Sequence, residues 1–137
     1  MTYKFTAQQV GVMVDRDEDC FLQASLAEHV DGTGFTLNFQ CGSEEPDDQD
    51  IDLGMDSHCL IMEDQRTAYG CVESACLIDN VLRITLRPEH VAIFELTDAE
   101  IEATIIASPT QLNQFREVLG EIFRYGRESA QPTKTGV

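Results

Sequence analysis

Phe35, Leu37 and Phe39 alternate with Thr36, Asn38 and Gln40, so one side of this segment is apolar and the other polar. That period of two describes a strand buried on one face only, which needs other elements to cover it. Similar runs recur at Phe5–Val14, Phe21–Ala27, His58–Met62, Thr67–Ile78, Val81–Leu86 and Ala99–Ile106. Several of the links are turn-like: Asp31-Gly32-Thr33-Gly34, Glu63-Asp64-Gln65-Arg66 and Asp79-Asn80. Such links leave little room for βαβ crossovers, so the sheet is expected to be mostly antiparallel with about seven strands. Within Thr67–Ile78, Gly70 marks a bulge or a close backbone approach.

The cover comes from the C-terminal region. Ser108 can cap a helix, Pro109 suits its first position, and Gln111 completes a Ser-x-x-Gln capping box. Leu112, Phe115, Val118, Leu119, Ile122 and Phe123 then recur at helical spacing along one stripe. Each such side chain contributes ~1.5–3 kcal/mol when buried, as an upper bound, which favours laying this helix on the sheet. Gly126 is a natural stop. Pro88–Phe94 reads as a short helical turn. The expected fold is α+β, an antiparallel sheet packed against a C-terminal helix, in a single domain over residues 1–126. Residues 127–137 are expected as a flexible tail.

Charge is the second constraint. The net charge is −16 and residues 1–64 hold 15 acids against two bases, Lys4 and Arg16. Glu44, Glu45, Asp47, Asp48, Asp50, Asp52 and Asp56 form a base-free run that reads as a loop, and Asp15-Arg16-Asp17-Glu18-Asp19 forms a second cluster. A field of this sign disfavours nucleic acid and anionic lipid as direct partners. No apolar stretch approaches the ~18 residues of a membrane span, and the first residues resemble no export signal, so a cytoplasmic location is expected.

Chemical signatures are sparse. Five cysteines at 20, 41, 59, 71 and 76 include no C-x-x-C pair, and Cys59, Cys71 and Cys76, inside or beside apolar runs, read as reduced structural thiols. Asp48-x-Asp50-x-Asp52 begins like a calcium loop, but Leu53 stands where the turn glycine belongs and Cys59 where the bidentate Glu belongs. His58 and Cys59 are neighbours on a strand and point to opposite faces, so they form no dyad. No nucleophile elbow, zincin motif or phosphate loop is present. The expectation is a non-enzymatic protein without cofactor or metal. Its interface would be the acidic run Glu44 to Asp56, facing a basic protein surface. A small hydrolase or ligand-binding α+β domain, and a calcium-stabilised module, are the alternatives. An uncovered edge strand would allow a homodimer.

Leu53-Gly54-Met55-Asp56-Ser57-His58-Cys59-Leu60-Ile61, followed by Tyr69-Gly70-Cys71-Val72, resembles the central motif of a bacterial immunity family. This is the family numbered ten among the immunity proteins of polymorphic toxin systems. Two positions depart from its pattern: His58 stands for an aromatic residue and Cys71 for a glycine. The resemblance implies paired apolar strands with a closing helix. It also implies a non-enzymatic protein that binds and neutralises a cognate toxin inside the producing cell.

Overall fold

The computed structural model describes residues 2–18 and 20–137. It is α+β, as expected, but its strands form two five-stranded sheets around one core instead of one sheet. The strands are β1 (Thr2–Ala7), β2 (Gln9–Asp15), β3 (Phe21–Ala27), β4 (Thr36–Gly42), β5 (Cys59–Ile61), β6 (Thr67–Tyr69), β7 (Val72–Ile78), β8 (Val81–Leu86), β9 (Glu100–Ile105) and β10 (Lys134–Gly136). The helices are α1 (Asp48–Asp52), α2 (Pro88–Val91) and α3 (Pro109–Phe123). The first sheet runs β1-β9-β8-β7-β10 and the second β2-β3-β4-β5-β6. β1 lies parallel to β9 and β10 parallel to β7, whereas the other pairs are antiparallel.

Two strands expected to be continuous are divided between the sheets. Phe5–Val14 breaks at Gln8, where backbone bonding changes sides. Ile106 donates to the Ala7 carbonyl at 2.8 Å, and Gln8 donates to the Ala27 carbonyl at 3.0 Å. Thr67–Ile78 breaks at Gly70-Cys71. Gly70 takes a positive φ of 62° and donates to the His58 carbonyl at 2.8 Å, while the Cys71 carbonyl accepts from Arg87. A Cβ at Gly70 would come within 3.1 Å of Ala130, so this glycine marks the close approach foreseen for it.

The core-facing rows of the second sheet include Leu22, Ala24 and Leu26 of β3 with Leu37 and Phe39 of β4. α3 covers them through Phe115, Leu119, Ile122 and Phe123, and the Phe123 ring meets Phe39 edge-on at 5.5 Å. Its capping box forms as read: Gln111 N–H donates to Ser108 Oγ, and Ser108 N–H donates to Gln111 Oε1.

The stretch after Gly126 was expected to trail from the domain. It instead forms a 3₁₀ turn at Glu128–Ala130, buries Ala130 and adds β10 to the open edge of β7. Thr133 N–H donates to the Glu73 carbonyl at 2.7 Å, and Gln131 Nε2 donates to the carbonyls of Arg124 and Gly126. Gly126 stops α3 by a different means from a simple cap. With φ at 78° it lies against Ser57, where a Cβ would collide with the Asp56 carbonyl. Gly126→Ala therefore combines backbone strain with a backbone clash, and is expected to cost about 1–3 kcal/mol. Urea unfolding of the two proteins measures this directly.

Candidate functional site

The acidic run is not an irregular loop throughout. Asp47 caps α1: its carboxylate accepts from Asp50 N–H at 2.8 Å, and Asp50 returns the bond to Asp47 N–H at 3.1 Å. Acids in a first turn also suit the positive end of the helix dipole. α1 buries none of its residues, so it stands out from the body of the protein. Glu44, Glu45, Asp47, Asp48 and Asp52 are exposed and Asp50 is half-buried. Asp56 differs from the rest, being only 6% exposed, with its backbone carbonyl accepting from Arg127 and its carboxylate 3.9 Å from Arg127 Nε.

Folding joins this run to the second acidic cluster. Ser43 N–H donates to the Cys20 carbonyl at 2.9 Å, and Phe21 pairs with Gly42 across β3 and β4. Asp17 and Glu18, both exposed, therefore share one end of the second sheet with Glu44 and Glu45. Asp19 lies outside the described residues. Arg16 is engaged elsewhere, its Nη2 2.8 Å from Glu121 on α3. The field at this end registers on Tyr125, whose pKa is pushed up to about 12 by burial first and then by Asp50, Cys41, Glu45 and Asp47.

Sequence reading missed the apolar side chains set among these acids. Ile51 is 54% exposed and Leu53 63%, with Met55 beside them. The signal was available, since three large aliphatic residues interrupt a charged stretch that could have been wholly polar. Asp48, Asp50 and Asp52 do not converge: Asp48 and Asp52, four apart on α1, share a face, and Asp50 between them points to another side. Among the described residues no three of His, Cys, Asp or Glu gather as a metal ion requires.

The buried thiols and imidazole are held in their neutral forms. Burial raises Cys41 and Cys71 to about 12 and Cys59 to about 11, away from thiolate reactivity. His58 is fully buried, accepts from Val72 N–H through Nε2 and meets the Phe123 ring edge-on at 5.4 Å. It thus occupies a core slot as an aromatic side chain would. No helix among the described residues is long and apolar enough to cross a membrane.

Together these features define a small α+β scaffold that presents one concentrated anionic surface studded with apolar side chains. The chain belongs to the family described as Immunity protein 10, whose family model matches residues 6–113 and so includes the whole acidic run. No curated protein and no solved structure matches it.

Desolvation, then the Arg87 and His90 side chains, lower the His58 pKa from 6.5 to about 4. The unfolded chain therefore takes up this proton first as pH falls. The stability tied to neutral His58 is present above pH 6.5 and drains away down to the folded value near 4. Between about pH 6.5 and 5 the loss from this group is about 1.5 kcal/mol. His58→Phe keeps the ring contact and is expected to flatten that part of the profile, measured as the urea midpoint against pH.

Proposed function

We propose that this protein neutralises a cognate toxin of the producing cell by binding and occluding it, without catalysis, in the cytoplasm. The acidic end of the second sheet makes the first contact with a basic toxin surface. The observation that carries this reading is the union of two acidic clusters, distant in sequence, around exposed Ile51 and Leu53. Solvated acids alone give solubility. Acids surrounding protruding aliphatic groups suit a protein interface, where apolar contacts hold the complex and opposite fields speed and orient encounter.

The seven carboxylates of the run divide the work. Glu44, Glu45, Asp48 and Asp52 face the partner, Asp47 and Asp50 shape α1, and Asp56 supports the segment from behind through Arg127. Self-pairing along the open β2 edge would bring together two chains of −16, so a cationic partner is favoured over a second copy. The hydrolase alternative needs two facing carboxylates, and a hollow of about 480 Å³ on the second sheet has Glu63 as its one lining carboxylate among the described residues.

The probe for a test is a cognate toxin domain, sought in the reading frames that flank this chain's gene. Glu44→Gln, Glu45→Gln, Asp48→Asn and Asp52→Asn, combined, leave the α1 cap intact. They are expected to slow association by about 10–100-fold at low salt and to flatten its salt dependence. An unchanged rate with an unchanged salt slope removes the acidic end from the interface.

A further inference from the structure

The second sheet turns one face to the core, and its other face is bordered at one end by α1 and at the other by the Glu63–Gln65 turn. Two adjacent rows cross that outer face. One runs Met13, Gln23, Gln40, Cys59 and Tyr69; the other runs Gly11, Ser25, Asn38, Ile61 and Thr67. In a chain with 25% charged residues, neither row holds a charge. Outward positions of a sheet normally collect Lys and Glu. Here they are amides, hydroxyls, small residues and a few apolar groups, and those of β3 and β4 are half-buried.

The face is also concave. A hollow of about 480 Å³ lies over Gly11, Ser25, Asn38 and Ile61, and a second of about 300 Å³ lies over Phe21, Gln40, Cys59 and Tyr69. They take up successive outward positions of β4, Thr36 and Asn38 in the first and Gln40 and Gly42 in the second, and that strand spans roughly 20 Å at strand rise. Across β3 to β5 the width is about 10 Å. Asp50 and Met55 wall the second hollow, so the acidic end closes one end of this trough, and Glu63 stands at the other.

We infer that this uncharged trough on the outer face of the second sheet seats an extended toxin segment of about six residues, uncharged at its centre and basic at its flanks. The inference rests on the toxin-binding reading above and gives it a geometry. Floor amides supply the recognition. Gln40 Nε2 spans to Gln23 Oε1 and Asn38 Oδ1 at 3.4 Å each, long bonds that leave donors and acceptors free for a peptide backbone. A charged residue at the centre of the segment would lose its water with no counter-ion below it. Basic flanks would meet acids at both ends. Gly11 keeps the larger hollow open, since a side chain there would project over Ser25, with its Cβ 2.6 Å from Ser25 Oγ.

Two single variants test the seat, Asn38→Lys and Gly11→Met, with the same cognate toxin domain as probe and urea unfolding as the control for folding. Asn38→Lys is expected to weaken binding by at least about 100-fold at both low and high salt, because it places an unpaired charge beneath the docked segment. Gly11→Met, which fills the hollow, is expected to weaken it by about 10-fold or more. Folded variants that bind as the wild type does overturn the seat. If the four-carboxylate variant still associates slowly in that case, the toxin-binding reading survives without it. A wild-type protein that fails to bind the toxin overturns both.

Discussion

The architecture depends on backbone hydrogen bonds changing partner at two corners. At Ala7-Gln8 and again at Gly70-Cys71 the chain stops bonding in one sheet and starts in the other within a residue or two. No buried peptide group can be left unpaired, so each corner must satisfy both sheets at once. At the first, Ala7 is fully buried where a larger side chain would push the sheets apart. At the second, the left-handed backbone of Gly70 makes the turn. Two such crossings tie the sheets around one core, leaving α3 to cover the second sheet from within.

That arrangement decides where function can lie. With α3 and the first sheet on its inner face, the second sheet has only its outer face and its ends for contact with other molecules. The links at one end, between β2 and β3 and between β4 and β5, are the acidic ones. Because β3 and β4 pair along their full lengths, those two links are forced together. Clusters nearly thirty residues apart in sequence become one field through strand register alone.

Much of this was legible in the residues. β3 and β8 occupy Phe21–Ala27 and Val81–Leu86 as their alternation indicated, and the Ser108-x-x-Gln111 box opens α3. The corners were harder to see because each lies within a stretch that reads as one continuous strand, Phe5–Val14 and Thr67–Ile78. The first has a faint signature: core-facing positions are odd at Phe5 and Ala7, then even at Val10, whose side of β2 the exposed Val12 and Val14 continue, a phase slip of one. β10 has no such signature. Its Lys134, Thr135 and Gly136 are all exposed, so backbone bonding to β7 holds a strand that no hydrophobic pattern could reveal. α1 was hidden by composition, since Asp-x-x-Asp was read as part of a charge run and not as a capping box. The outer face of the second sheet escaped notice for another reason. Its character is the lack of charge along rows that cross five strands, and those rows exist only once the register is known.

A surface with acids at its ends and none on its floor separates two physical tasks. Long-range attraction needs charge that remains hydrated, and the exposed carboxylates of Glu44, Glu45, Asp48 and Asp52 provide it without being buried. Tight contact needs surface that loses water cheaply, and amides, hydroxyls and aliphatic groups do so at far less cost than ions. If the carboxylates lay on the floor, docking would strip their water and offset the attraction they generate. In the proposed toxin complex, keeping them at the margins would let the field act on approach while the contact beneath forms between neutral groups. On this division, salt would act mainly on how fast the proposed partner arrives, and the shape of the trough on how long it stays.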